Sequence, residues 1–256
     1  MTGRLPDFIV GGAPRCGTTW LATTLDRHPR IWLAKPLRPE PKFFLVDELY
    51  AEGLDSYAER WFADAPADAV VGEKSTNYLE SATAARRIAA DLPDVRMLFV
   101  LRNPVDRALS NYRWSVMNGM ETEDLATALA LEERREAEVP DHLRYARPHA
   151  YFSRGRYAQM LAPYVDALPA GQVHVIRFED LVTDPGTTTA RVHDFLGVEP
   201  RPDLAGSTEG MNASEADVTV DPAVRADLAR RYVPLNRELA ELLGPSFAPW
   251  PEESRP

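Results

Sequence analysis

The sequence predicts an α/β fold: three P-loop-like layers, with a central mostly parallel sheet of about five strands flanked by helices. Three observations carry this. Apolar runs of strand length alternate with helix-period segments along the whole chain. The run Val95–Leu101 is almost continuously apolar, as a parallel strand covered on both faces must be. Two strand ends, at Gly11–Gly17 and at Arg102–Pro104, run directly into helices, so both turns belong at the sheet edge where α/β ligands bind.

The first element is Phe8–Val10, a buried strand, followed by a tight turn over Gly11–Gly17. A helix opens at Thr18 and Thr19 and runs to about His28, where Pro29 stops it. Such a turn aims backbone N–H groups and a helix N-terminus at one point, which favours an anion. Arg15 adds a fixed positive charge, and the two threonines add hydroxyl donors. The expected guest is a phosphate or a sulfate. Gly12–Gly17 fits the first part of a nucleotide-triphosphate P-loop, but Thr18 stands where that motif requires Lys. Magnesium-ATP chemistry is thereby disfavoured.

Ile31–Leu33 is the second strand. The loop Ala34–Lys42 holds Pro36, Pro39 and Pro41, which bar a helix and stiffen the segment. Glu40 lies in it between Arg38 and Lys42; the residues alone fit a solvated loop acid or a general base equally well. A helix over 55–63 follows, then a strand over 70–75 that carries Lys74 at its end, where a lone Lys is ordinarily a surface charge. After a helix over 82–92, the strand Val95–Leu101 leads into Arg102-Asn103-Pro104 and a helix over 105–117, with Pro104 at its first position. Arg102 and Ser110 can face one crevice there, and an Arg fork with a hydroxyl suits a second phosphate.

Residues 123–138 read as a solvated helix, and 139–152 as an irregular flap with His142, Tyr145, His149 and Tyr151. A helix over 157–167, a strand over 173–178 and a helix over 186–196 closed by Gly197 come next. The polar segment 206–220 could lie as a lid over a nucleotide. Two last helices, 223–232 and 235–243, precede a Pro-rich tail, 246–256, expected to fray.

Composition bounds the function. Hydrophobic content of 45% and charged content of 27% are ordinary for a globular protein. The net charge of −10 argues against a nucleic-acid partner while leaving room for a local basic pocket. No signal-peptide pattern and no long apolar run occur, so a cytoplasmic protein with no integral membrane segment is expected. The single cysteine, Cys16, permits no internal disulfide and sits in the anion turn, where a small residue fits.

Two phosphate sites without the P-loop Lys point to a nucleotide with phosphates in two separate places. Here the sequence resembles the sulfotransferases that use 3′-phosphoadenosine 5′-phosphosulfate (PAPS) and release 3′-phosphoadenosine 5′-phosphate (PAP). Pro14–Trp20 resembles their 5′-phosphosulfate loop, and Leu101–Tyr112, with its Arg-to-Ser spacing, their 3′-phosphate motif. Phe178–Leu181 with Asp184-Pro185, then Phe195–Gly197, matches a further family stretch. Glu40–Phe44 and Gly72–Tyr78 resemble the segments in which the heparan-sulfate type and its bacterial relatives carry a catalytic Glu and Lys.

The resemblance covers about residues 7–244 and implies one sulfotransferase domain over 1–256, with a cap or substrate flap at 119–155. It implies in-line sulfuryl transfer from PAPS to a hydroxyl or amine, with no metal. Glu40 is the implied base, with His142 or His149 as alternatives, and Arg15 and Lys74 the implied catalytic cations. Arg15, Cys16, Gly17, Thr18, Thr19 and Trp20 would hold the 5′ end of the donor, Arg102 and Ser110 the 3′-phosphate, and Tyr157 would also touch the donor. Lys42, Phe43, His142, His149 and Tyr151 would meet a carbohydrate-like, lipid or secondary-metabolite acceptor, with Arg144, Arg147 and Arg154 available as a basic rim. Many family members carry Lys at the position of Arg15; Arg keeps the charge but cannot readily release a proton. A P-loop small-molecule kinase and an inactive nucleotide-binding module are the alternative readings.

Overall fold

The computed structural model describes residues 3–140, 147–209, 211, 219–245 and 247–250. In chain order the elements are β1 (Phe8–Gly12), α1 (Thr18–Leu25), β2 (Ile31–Leu33), α2 (Asp47–Ala51), α3 (Gly53–Phe62), β3 (Val70–Lys74), α4 (Ala82–Asp91), β4 (Arg96–Leu101), α5 (Pro104–Met117), α6 (Leu125–Glu138), α7 (Tyr157–Ala167), β5 (Val173–Arg177), α8 (Phe178–Thr183), α9 (Pro185–Leu196) and α10 (Pro222–Leu243). They form two compact units: Met1–Leu101 with Pro163–Met211, and Arg102–Ala162 with Asn212–Pro256.

The first unit contains the sheet. Its five strands are all parallel, in the order β2-β3-β1-β4-β5. β1 is central and buried along its whole length, and β4 is buried from Met97 to Leu101. Each such apolar side chain removed from water contributes roughly 1.5–3 kcal/mol, so these two strands anchor the unit. The register slips by one residue between Val10 and Gly12. Gly11 lies in that slip, and a Cβ there would stand 2.7 Å from the Phe99 ring. Only glycine lets β1 approach β4 so closely on its way into the turn.

Local sequence sets the helix ends. The Ser81 hydroxyl accepts the Ala84 N–H at 3.1 Å to start α4, and Asn103 caps α5 ahead of Pro104. Gly197 closes α9 in the left-handed region at φ 74°. Two expectations about helices change, and α2 is a helix that none of them covered. α1 ends at Leu25, and the chain goes on to His28 in tighter turns, Arg27 N–H to Thr24 and His28 N–H to Leu25. α2 carries no buried residue, so it leaves no apolar period to read. The two expected C-terminal helices are one, α10, which passes through Pro234. Leu228, Tyr232 and Leu239 are buried along it and hold it continuous across the proline.

The core of the second unit gathers Val105, Leu109 and Tyr112 of α5, Leu125 and Ala128 of α6, Tyr151, and Leu228 and Tyr232 of α10.

A buried histidine pair links the turns after α1 to α9 in the first unit. The His28 and His193 rings are 4.7 Å apart. His28 Nδ1 accepts the Arg30 N–H at 3.1 Å and His193 Nδ1 accepts the Arg201 N–H at 3.1 Å. Burial, then the neighbouring His28, pushes His193 down to about 4. A base with a lowered pKa stabilises the fold above its unfolded value, near 6.5, and that stability is lost as pH falls toward 4. Wild type should therefore lose more urea resistance between those two pH values than His193→Asn does; equal losses would show that His193 does not carry the linkage.

Candidate active site

The turn after β1 has the geometry of an anion cradle. Arg15 and Gly17 both take left-handed backbone angles, φ 67° and φ 77°, and alternation of handedness in a turn converges N–H groups. Arg15 holds this angle although it is not glycine, a conformation concentrated at ligand sites. Gly17 is additionally required by space: a Cβ would lie 2.9 Å from both the Phe178 ring and the Met211 methyl. α1 begins with no side-chain cap and no acid in its first turn, which leaves the positive end of its dipole to a ligand. Thr18 is buried, while the Thr19 hydroxyl accepts an N–H from Arg38 at 3.3 Å. Cys16 is wholly buried, so its side chain is packing and only its backbone can reach a guest. The Trp20 indole donates to the Ser207 carbonyl at 2.9 Å. The start of the expected lid thus docks on α1, whereas residues 210 and 212–218 lie outside the described residues.

The same unit joins Glu40 and Lys74. The Lys74 ammonium donates to the Glu40 carboxylate, with the Lys side chain 1% exposed and that of Glu40 13% exposed. Thr76 completes the arrangement: its N–H donates to Glu40 at 3.0 Å and its hydroxyl lies 3.1 and 3.2 Å from the two carboxylate oxygens. Glu40 is therefore no solvated loop acid. It is a desolvated, oriented carboxylate with one edge against a cation. Lys42 follows at φ 53°. Phe43 is buried, stacked on Tyr57 at 4.3 Å, and so is core rather than an acceptor contact.

The second unit holds the segment expected to meet the 3′-phosphate, Arg102 to Ser110. The Asn103 side chain accepts the Val105 N–H at 2.9 Å at the head of α5. The Tyr157 hydroxyl donates to the Arg102 carbonyl at 2.9 Å, so Tyr157 fixes the backbone of that segment. Ser110 is buried two turns along α5.

The expected flap is firmly held where it is described. Glu121 accepts the N–H groups of Thr122 and Glu123 at 3.0 Å, the Tyr151 hydroxyl at 2.7 Å and Arg135 at 2.7 Å. Burial alone would raise the Glu121 carboxyl; the Glu123 N–H, Tyr151 and Arg135 outweigh it and hold it low. His149 also faces Glu121, at 3.6 Å. Glu132 accepts the Phe152 and Ser153 N–H groups at 2.7 Å, and Arg107 donates to the Tyr151 carbonyl. Tyr151 is wholly buried, which removes it from the acceptor contacts expected from the sequence. The expected basic rim changes as well: Arg147 pairs with Glu136 at 2.6 Å, and Arg154 is buried beside Asn111. His142 and Arg144 lie outside the described residues.

The family model described as "Sulfotransferase domain" matches residues 5–212, most of the chain. The chain belongs to the sulfotransferase family. It is similar to a solved sulfotransferase from Alicyclobacillus acidocaldarius, with 30% identity and a TM-score of 0.77, over 94% of this chain and 96% of that one. Among curated relatives it is 28% identical to heparan sulfate glucosamine 3-O-sulfotransferase 3B1 of Mus musculus, over 95% of this chain and 65% of that protein. It is 32% identical to heparan sulfate glucosamine 3-O-sulfotransferase 6 of Homo sapiens, over 77% of this chain and 53% of that protein. The chain thus spans just under two thirds of the curated relative that it matches over most of its own length.

Three side chains of this sulfotransferase near Glu40 and Lys74 take places that the sequence does not signal. Thr76 lies within Gly72–Tyr78, and its value as a hydrogen-bond donor to Glu40 shows only in three dimensions. Arg38 flanks Glu40 in sequence yet reaches α1 instead. Glu73 sits beside Lys74 in sequence and is wholly buried. Removing one partner of a desolvated ion pair costs about 3 kcal/mol or more. Lys74→Met should lower stability by about that amount, while Lys35→Met, which removes the exposed partner of Asp26, should cost below about 1 kcal/mol. Denaturant unfolding of the two variants measures the contrast.

Proposed function

We propose that this chain transfers the sulfuryl group of PAPS to a hydroxyl or amine of a carbohydrate-like, lipid or secondary-metabolite acceptor. The observation that carries the reading is the Glu40 carboxylate, oriented by Lys74 and Thr76 in the same unit as the anion turn. The first-listed curated relatives are named as heparan sulfate sulfotransferases, and a mouse sulfotransferase of the same fold is solved with PAP, at a TM-score of 0.52.

In this reading the acceptor oxygen or nitrogen attacks sulfur in line with the bond to the 5′-phosphate. As the new bond forms, that S–O bond breaks and its electron pair leaves on the phosphate oxygen of PAP. The acceptor proton passes to Glu40. Protonation of Glu40 neutralises the partner of Lys74, so the ammonium charge becomes available to the sulfuryl and bridging oxygens as charge builds there. Arg15 and the N–H groups of the turn and of α1 add to that stabilisation. Arg15 serves by charge and its bidentate fork, since the leaving phosphate needs neutralisation more than a proton. Thr18 and Thr19 are assigned to the 5′-phosphate, and Arg102 and Ser110 to the 3′-phosphate, which separates this donor from ATP. Catalysis then consists mostly of positioning and charge neutralisation. Lys42 and His149 remain the proposed acceptor-side groups, in a cytoplasmic protein whose one cysteine needs no oxidising compartment.

The test is sulfate transfer from labelled PAPS to a panel of hexosamines, glucosamine-containing oligosaccharides, phenols and primary alcohols. Glu40→Gln should lower kcat by about 100-fold or more with PAP affinity retained. Arg102→Ala should weaken PAP binding by about tenfold or more. Near-wild-type turnover in Glu40→Gln removes Glu40 as the base. Tight PAP binding by the wild type with no transfer to any acceptor marks an inactive binding module instead.

A further inference from the structure

The stretch 73–76 divides its side chains between two tasks. Successive residues of an extended strand point to opposite faces. Lys74 and Thr76 hold the Glu40 carboxylate. Glu73 and Ser75 point the other way, to the back of the loop that carries Glu40. The Ser75 hydroxyl donates to Glu73 at 2.7 Å and accepts the Lys42 N–H at 2.9 Å. The Tyr78 hydroxyl, close to Glu73, accepts the Phe44 N–H at 3.2 Å. Tyr57 of α3 donates to the other Glu73 oxygen at 2.9 Å. Glu73 is wholly buried, and the transfer chemistry described above does not use it.

A hydroxyl has one proton. With that proton committed to Glu73, Ser75 can only present lone pairs to the chain behind Glu40, which Tyr78 holds beside it. The two amides they hold lie two and four positions after the base. Between them the backbone is wound tightly: Lys42 stands in the left-handed region, and its carbonyl accepts the Leu45 and Val46 N–H groups at 3.0 and 3.1 Å.

We propose that Glu73 is a positioning residue for the transfer reaction: as a carboxylate it takes the Ser75 proton, sets Ser75 as acceptor for the Lys42 amide in the loop that Tyr78 also holds at Phe44, and so fixes Glu40 against Lys74 and Thr76. This rests on the reading of Glu40 as the base. Protonated Glu73 carries a donor of its own and no longer fixes the direction of the Ser75 hydroxyl. Burial pushes the Glu73 carboxyl up to about 7, against the pull of Ser75, Tyr57 and Tyr78 and with a smaller push from Glu40. Charged and titratable groups around it are Tyr57, Tyr78, Tyr164, Glu40 and, on its own strand, Lys74; burial raises the three phenols well above their ordinary range, so none of them titrates near neutrality. The ordering is thus complete above neutral pH and is lost as pH falls through about 7.

The test compares wild type, Glu73→Gln, Ser75→Ala and Glu40→Gln in three measurements: PAP affinity, the pH profile of kcat with the fastest acceptor of the panel, and the pH titration of the Lys42 and Phe44 backbone amide NMR signals. Glu73→Gln should keep PAP affinity within about twofold and lower kcat about 10- to 100-fold, the cost of a misplaced base. The acid limb near pH 7 should disappear from its kcat profile, and the two amide signals should stop titrating there. Ser75→Ala should lower kcat while leaving PAP affinity in place. If Glu40→Gln abolishes transfer while Glu73→Gln retains the wild-type kcat and profile, this inference fails and the base stands. If Glu40→Gln turns over normally, the base assignment fails instead. Should no acceptor turn over, amide signals that titrate alike in wild type and Glu73→Gln overturn the positioning role unaided.

Discussion

A strand that alternates its side chains between two faces, followed directly by a turn, organises what is distinctive in this protein. From Glu73 to Thr76 each residue is polar, and each is placed where the sheet would otherwise demand an apolar group. Burying that much polarity is tolerated only because every group meets a complement. Lys74 and Thr76 meet Glu40 on one side. Glu73 and Ser75 meet Tyr57 and the Lys42 amide on the other. The loop between β2 and α2 is thereby tied to β3 from front and back, and Glu40 inherits the rigidity of the sheet.

The anion turn draws on the same sheet by a different device. β1 is central and fully buried, so the turn that leaves it cannot drift. The Ala13 N–H donates to the Val100 carbonyl at 2.9 Å, which extends the hold of β4 one residue into the turn. Arg15 and Gly17 then reverse the chain into α1 with their N–H groups converging. Rigid backbone donors need no rearrangement when charge develops on a bound sulfuryl group, and that makes such a turn suitable for transfer chemistry.

In the second unit, carboxylates do the work of a core. Glu121 and Glu132 are buried acids that gather backbone N–H groups from chain leaving α5 and from residues 152–153. Segment 147–155 carries little regular structure, and its order comes from these two acids, from Arg107 and from the buried Tyr151 ring. A mixture of histidines, tyrosines and arginines in an irregular stretch reads as a mobile substrate flap; the same residues, once paired, make a braced connection.

Much of this was legible beforehand. The parallel sheet, both strand-to-helix turns, the Gly197 cap and the Asn103-Pro104 helix start follow from apolar periods and from the chemistry of Gly, Asn and Pro, which act within a few residues. The exceptions share a cause. α2 has no buried face, and the unbroken course of α10 through Pro234 depends on Tyr232 and Leu239 being buried beyond it. The family motifs likewise drew attention to Glu40, Lys74 and the two strand-to-helix turns, since residue type and spacing are local. Which charges meet was decided by tertiary structure. Glu40 and Lys74 are 34 positions apart, Arg38 reaches Thr19, and Glu73 faces Tyr57. By itself the sequence determined which chemical groups are present and which turns can hold an anion. Only the packing of β3 against the loop after β2 decided which carboxylate is desolvated and oriented, because desolvation belongs to surroundings that distant residues create.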